Sequence, residues 1–560
     1  MINSKYGTYA DFGAVGDGVT DDFEAIWRAH EYANEKGLPI VTDDGKTYYI
    51  HETRIDGAVR EAKIKTDVTW GSSKFIIDDS DIVGYDGTGR VEKNIFSIES
   101  DYAPVTVTDP EVLSKIGSIG EGTKKINLSL GYPAFLIIYN ENQRVFKRCG
   151  ASYVKIGLHK GSVQKELIVI DADGNVDEST PFMFNYDELT KIEILRLDIK
   201  PITVKGGIFT TRASRVDAVN PKTGGTAAYI ERGISINRSY TTLLGVEHYV
   251  EGEVSTYEFR DKGLRGAHYY GFYAAKRANE VLIKNCVFTG RRYYRLCGTY
   301  EFTGVMVNKI RLEGCTQSNF EIVNEEGKTV YSMAGSPVAK TKYCWGIGGT
   351  DFCKNMEYRD CVLSRFDAHQ GLYNGKLINS TINFMELTGK GEMYIENLDF
   401  RSSSPGANLL VYLRDDYGST WDGTITFKNC TAHFAPGNAY VFFHLYSNWD
   451  FGYKCHFPNL VLDNLKVEGL GENPTVHLKI RTEEPNMNLL TCATTPRKNA
   501  DGTIDEGNMN NANPIIPPKF IKVINNDCGA KYSVEDIPFY ESTELEGVEK
   551  SSERAPSLWG

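Results

Sequence analysis

The sequence predicts an all-β solenoid, a chain of short strands coiled into stacked parallel sheets, and three observations predict it. The first is a recurring pattern, an apolar alternating run closed by Asn, Asp or Gly. It appears at Ile283-Lys284-Asn285-Cys286, Leu312-Glu313-Gly314-Cys315, Tyr358-Arg359-Asp360-Cys361, Ile378-Asn379-Ser380-Thr381, Ile395-Glu396-Asn397-Leu398, Phe427-Lys428-Asn429-Cys430 and Leu462-Asp463-Asn464-Leu465. The closing residues stand at 285, 314, 360, 379, 397, 429 and 464, with gaps of 29, 46, 19, 18, 32 and 35, and the 46 reads as two turns of 23. The second is the absence of long amphipathic stretches between these runs, which excludes a barrel with crossover helices and suits coils of about 20 to 30 residues. The third is length: 560 residues are too many for one ordinary core but not for an elongated repeat.

Taken in order, the chain opens with its strongest local signature, DFGAVGDGVTDDFEAIWRAHEYANEKG, residues 11–37. Gly13, Gly16 and Gly18 permit tight turns, and Asp21 with Glu24 reads as a capping box. Phe23, Ile26, Trp27, His30 and Ala33 fall on one helical face before Gly37 stops the helix. A helix this short has to bury that stripe against something. The run from Asp11 to Asp22 resembles the N-terminal segment of the pectate-lyase-like superfamily of right-handed parallel β-helices, where such a helix covers the first coil. The resemblance implies that fold and a carbohydrate-directed function, with Asp17, Asp21 and Asp22 as turn and capping residues.

Residues 1–85 therefore read as the cap helix and first coils, with strands at Thr47-Tyr48-Tyr49-Ile50 and Lys74-Phe75-Ile76-Ile77. Residues 86–200 break the rhythm and read as an inserted β-rich subdomain, with a short helix from Pro110 to Ile116 and a hairpin signal at Val169 to Asn175. Coils resume over 201–470 as the main β-helix. Residues 471–560 fade into an irregular cap and an acidic tail.

The net charge of -12 argues against a nucleic-acid backbone as partner, although Arg291, Arg292, Arg295 and Arg311 could form a local basic cleft. Eleven cysteines without CxxC spacing argue against a disulfide framework or zinc site, and those at 286, 315, 361 and 430 share one place in the repeat. They read as a stacked ladder of small buried thiols. No run reaches transmembrane length and no apolar leader opens the chain, so a membrane partner is not expected. The expected compartment is the cytosol or a virion, unless a leader has been removed. No cofactor is expected. Calcium suits oxygen-rich sites, but no loop here has its spacing.

In a solenoid the interior is packed, so chemistry belongs on an outer face where neighbouring coils set residues side by side. Asp367 and His369 are two apart, hence on one face of an extended segment. One coil of 19 back from His369 is Thr350, next to Asp351. Two turns on lies Arg414-Asp415-Asp416, followed by Tyr417 and Trp421. The constellation is thus Asp351, Asp367, His369, Asp415 and Asp416 as catalytic groups, with Arg365, Tyr373, Arg414, Tyr417 and Trp421 as substrate-binding groups. Stacked carboxylates raise one another's pKa, which supplies the protonated acid and ionised partner that glycosidic cleavage needs. The expected activity is glycoside hydrolysis of a poly- or oligosaccharide, with Asp367 and one of Asp351, Asp415 or Asp416 as the carboxylate pair. Asp367-Ala368-His369-Gln370 also looks like the Asp-Pro-His-Glu motif of β-helical mannuronan C5-epimerases. That resemblance implies His369 as base or acid of a polyuronate lyase or epimerase, with Asp367 orienting it and Arg414 on the sugar carboxylate. A third reading is a non-enzymatic, tailspike-type attachment protein, a class that forms homotrimers.

Overall fold

The computed structural model describes residues 5–83, 93–148, 160–216, 229–254, 267–291, 300–319, 350–401, 408–414, 417–418, 420–434, 439–445, 455–470, 475–482, 516–535 and 542–551, with a few isolated positions besides. The chain divides into two compact units. One comprises Met1–Ala103, Asp198–Gly349 and Arg359–Arg365; the other comprises Pro104–Leu197, Thr350–Tyr358 and Phe366–Gly560.

In the first unit the helix Phe23–Lys36 buries Phe23, Ile26, Ala29, His30 and Ala33 and stops at Gly37, whose φ of 65° is left-handed. Trp27 is only half-buried and lies under the Arg60 guanidinium, 5.7 Å from its ring. The capping box does not form. Asp21 instead accepts from the Phe23 amide and, through its other oxygen, from the amides of His51 and Glu52, tying the helix start to the next turn. Asp22 accepts from Val15 and Gly16, and Asp17 from Val19 and Thr20. Behind the helix, Trp70 donates to the Tyr9 hydroxyl, which is hydrogen-bonded to His30 Nε2 at 2.9 Å. Burial pushes the His30 pKa down to about 3, so this imidazole stays neutral.

The coils of this unit are two stacks of parallel strands. One runs Ala62–Ile64, Phe96–Glu99, Ile234–Asn237, Tyr270–Lys276, Tyr300–Val305. The other passes from Val68–Asp78 through Ile202–Arg212, Thr241–Leu244 and Asn279–Lys284 to Asn308–Glu313. Phe96–Glu99 is therefore a coil strand, and the irregular segment starts later than residue 86. The 46-residue gap is one coil and not two turns: Thr316 pairs directly with Val362, and the Gly314 amide donates to the Arg359 carbonyl. Residues 320–349, which the count divided into turns, lie outside the described residues. Arg291 is no part of a basic cleft. It is buried and ion-paired with Glu301 at 3.2 Å, and Glu301 also meets His248 at 2.5 Å. Arg311 is exposed beside Glu313, and Arg292 and Arg295 lie outside the described residues.

In the second unit one parallel stack runs Leu372–Ile378, Gly389–Glu396, Trp421–His433, Asn459–Glu468, Phe520–Ile524, Glu544–Glu546. The other runs Phe384–Leu387, Asn408–Leu413, Ala439–Leu445, Thr475–Thr482, Lys531–Glu535, Glu549–Ser551. Coils thus continue well past residue 470, where an irregular cap was expected. Residues 104–197 carry an antiparallel sheet, ordered Ser162–Ile170, Ala134–Val145, Lys191–Arg196, Val105–Val107, and the short helix Pro110–Ser114. Its own core includes Leu136, Ile138, Ile168, Ile170 and Ile192.

All seven closing residues of the repeat sit at positive φ, from 50° at Asn379 to 62° at Gly314. Asparagine tolerates this left-handed turn because its short amide finds local partners. The amide of Asn397 donates to Asn379 Oδ1 and that of Asn464 to Asn429 Oδ1, both at 2.9 Å. Beside this ladder Cys286, Cys315, Cys361 and Cys430 are buried and unbridged, and each thiol faces a carbonyl of the preceding coil. Replacing Asn464 by Ala is expected to cost about 1 to 2 kcal/mol, losing a hydrogen bond and straining φ. Asn464→Gly should cost less, and chemical denaturation of the two variants separates the contributions.

Candidate functional site

The site is built on four successive passes of the second unit. Asp351 pairs in register with Gln370, the Phe352 amide donates to the Gln370 carbonyl at 2.7 Å, and the Gln370 amide donates to the Thr350 carbonyl at 3.0 Å. Thr350 and His369 are therefore one coil of 19 residues apart. The next pass brings Glu386, whose carbonyl accepts from the Ala368 amide, and the one after it brings Arg414, whose amide donates to the Leu387 carbonyl. Register sets Asp351 beside Gln370 and Glu386 beside Tyr412, and the long Arg414 side chain reaches both Glu386 and His369.

Arg414 organises the site. Its Nε lies 3.1 Å from Glu386 Oε1, and its Nη1 donates to His369 Nδ1 at 2.5 Å. A guanidinium has no acceptor, so His369 Nδ1 must be unprotonated, and the neutral ring carries its proton on Nε2. The Tyr417 ring lies between two guanidinium carbons, Arg414 at 5.2 Å and Arg148 at 5.3 Å, and its centroid is 6.3 Å from that of His369.

Asp351 is half-buried, and its Oδ1 is closed to solvent without a hydrogen-bond partner. Burial lifts its pKa to about 6, against the pull of Lys165, Arg414 and Arg148. Desolvation thus outweighs three neighbouring cations. Arg148 and Lys165 come from the antiparallel segment, Lys165 from the strand Ser162–Ile170. Its ammonium stands 4.3 Å from the Phe352 ring centroid, and burial pushes its pKa down.

The other expected site residues fall differently. Asp367 is 1% exposed, its main-chain carbonyl accepting from the Thr350 hydroxyl at 2.6 Å, so its carboxyl is closed to a substrate. Tyr373 and Trp421 are both fully buried, with Trp421 Nε1 donating to the Gly391 carbonyl at 3.0 Å. Neither offers a face to a sugar ring. Trp421 is a core residue because its strand position points inward, whereas Tyr373 is buried against the antiparallel segment, its ring 5.7 Å from that of Phe184 and its hydroxyl donating to the Lys165 carbonyl at 3.4 Å. Tyr417, 3% exposed, orients arginines instead, and Arg365 is buried. Asp415 and Asp416 lie outside the described residues. Sequence reasoning missed Glu386, hidden in the apolar run Phe384-Met385-Glu386-Leu387, as well as Arg148 and Lys165. Glu386 left one signal, a lone charge between apolar neighbours. Among the described residues no group of three or more His, Cys, Asp or Glu is arranged to hold a metal ion, and no helix is long and apolar enough to cross a membrane.

Parallel register from rung to rung, under an N-terminal capping helix, decides the architecture. The fold is a right-handed parallel β-helix. No protein-family model matches the chain. A stretch of 99 residues, 16% of the chain, is 31% identical to the capsule KL64-specific depolymerase of Klebsiella phage P510, and the chain spans only 10% of that curated relative. Among solved structures it is similar to the tailspike gp49 of Pseudomonas phage LKA1, at 13% identity with a TM-score of 0.47 over 96% of this chain and 84% of that one. It is also similar to the tailspike of E. coli bacteriophage HK620, at 8% identity and a TM-score of 0.42 over 97% and 78%. The Streptococcus pneumoniae adhesin PfbA follows at 10% and 0.38, over 98% and 91%.

Proposed function

We propose that this protein is a carbohydrate-active enzyme that hydrolyses a glycosidic bond of a poly- or oligosaccharide, with Asp351 as general acid. The observation that carries the reading is the carboxyl of half-buried Asp351, shielded enough that its pKa stands at about 6. A carboxylic acid still partly protonated near neutrality is what departure of an alcohol oxygen requires. Protonated Asp351 donates to the leaving oxygen, and a second carboxylate activates water or attacks the anomeric carbon. Asp415 and Asp416, which follow Arg414 in the chain, are the candidates for that partner. The short match to a capsule depolymerase supports the substrate class.

The tautomer of His369 weighs against elimination or epimerisation through this residue. With Nδ1 occupied by the Arg414 guanidinium, that nitrogen is not open to take a proton from a substrate.

Incubation with a panel of bacterial, algal and plant polysaccharides tests the reading. New reducing ends support hydrolysis; an ultraviolet-absorbing unsaturated product, or changed uronate signals in NMR without cleavage, would replace it with lyase or epimerase chemistry. Binding without turnover would favour the attachment reading. Because the acid must hold its proton, kcat/KM is expected to fall as pH rises through about 6. A rate that keeps rising through pH 8 would remove Asp351 from the acid role.

A further inference from the structure

We propose that Lys165 is an anion-recognition residue of this site, its ammonium receiving a negatively charged substituent of the bound sugar opposite Asp351. The inference rests on the glycan reading above but concerns a group that catalysis does not need. Along the strand Ser162–Ile170, Gln164 and Glu166 are buried while Lys165 between them is half-buried. Glu166 is spoken for, bound to Lys354 and to the amides of Met183 and Phe184.

Lys165 has no such arrangement. Among the described residues its ammonium has neither an ion pair nor a hydrogen bond, only the faces of Phe352 at 4.3 Å and Tyr139 at 6.0 Å. The nearest carboxylates do not supply a counter-ion. Glu193 is engaged by Lys191 at 3.4 Å and by the Tyr139 hydroxyl at 3.0 Å. Asp351 faces Lys165 from beyond ion-pair distance, with Oδ1 equally unpartnered.

A half-buried ammonium without a counter-ion is partly desolvated, and an arriving anion offsets that cost. Charge among the described neighbours agrees: Arg148 and Arg414 also act on Asp351, and Glu386 is ion-paired with Arg414. Among the described residues cations thus outnumber carboxylates around Asp351, which leaves room for a further negative charge. A carboxylate or sulfate on a sugar supplies it, and aromatic faces beside the ammonium suit the apolar edge of the same ring.

The test uses the full chain with pectate, alginate and uronate-containing bacterial capsules. Each is offered native, with its carboxyls reduced to primary alcohols, and for sulfated polymers also after desulfation. Cleavage gives KM, and affinity electrophoresis in polymer-containing gels gives binding where nothing is cut. Lys165→Met is expected to raise KM or Kd for the native polymer about tenfold, the loss of one charge-assisted contact, and to leave the neutralised polymer unchanged. Lys165→Arg should restore most of the affinity. Carboxyl reduction or desulfation of wild-type substrate, whichever mimics Lys165→Met, identifies the anion.

Equal losses on native and neutralised polymers would mean a structural role and overturn the proposal, as would an unchanged native KM. The two readings fail separately. Lys165-dependent binding without cleavage would sink the hydrolase and keep the subsite, whereas undiminished cleavage of neutralised polymer would do the reverse.

Discussion

Asp351→Asn is expected to abolish turnover and at the same time to make the protein more stable than wild type at pH 8. The first effect is the loss of the proton donor, worth about 10²- to 10⁴-fold in kcat. The second follows from the same burial. A carboxyl whose pKa is raised binds its proton more tightly in the folded state, so its ionisation works against folding. The folded protein therefore loses stability as pH climbs from the ordinary 3.8 to about 6. At pH 8 that loss is complete and amounts to about 3 kcal/mol. Asparagine has nearly the same shape and no charge, so it escapes the penalty. Denaturation of both proteins at pH 8 and pH 4 should show a gap at the higher pH that closes at the lower. A variant that is inactive but equally stable at both values would show that Asp351 is not desolvated as described. One that is more stable but still active would leave the burial in place and remove the acid.

Lys354→Met is expected to carry the largest stability loss of any single change near the site, about 3 to 5 kcal/mol. Lys354 and Glu166 are both fully buried and 3.1 Å apart. The ammonium also donates to the carbonyls of Leu167 at 3.0 Å and Pro181 at 2.6 Å. The carboxylate also accepts from the Met183 and Phe184 amides at 2.9 and 3.1 Å. Every charge-bearing group is answered, which is the condition under which a buried pair persists. Removing the lysine strands a carboxylate in the core and leaves two carbonyls unpaired. The double variant Lys354→Met with Glu166→Gln should recover part of the loss, because no net charge then remains buried. Denaturant midpoints give the ranking wild type, double variant, single variant. A single variant as stable as wild type would show the pair to be dispensable. Lys354 is three residues from Asp351, and Glu166 adjoins Lys165, so loosening the pair should also raise KM.

What could be read without coordinates was what the chain encodes locally. Asn285, Asp360, Asn379, Asn397, Asn429 and Asn464 are separate instances of one short-range fact, that these side chains tolerate a left-handed turn, and every one adopts it. The cysteines beside them are buried because the repeat position is inward, and that too is visible in the pattern. The 19-residue step from Thr350 to His369 was countable because nothing interrupts it.

Counting failed between Gly314 and Asp360. The two stand on adjacent coils because Thr316 meets Val362 directly, and spacing alone does not tell one long step from two short ones. Trp421 and Tyr373 were read as sugar platforms because aromatic side chains near carboxylates suggest one, yet an inward strand position buries Trp421 in the core and the antiparallel segment covers Tyr373.

The sequence by itself determined the coils, their turn residues, the capping helix and the neighbourhood of Asp351 and His369, since each follows from interactions within a few residues or one uninterrupted coil. Only the tertiary structure decided which groups face Asp351. Lys165 and Arg148 lie far back in the chain and act on one carboxyl, while Glu386, hidden in an apolar run, pairs with Arg414, because folding sets segments side by side without regard to their distance in sequence. Asp351's role depends on that company and on its burial.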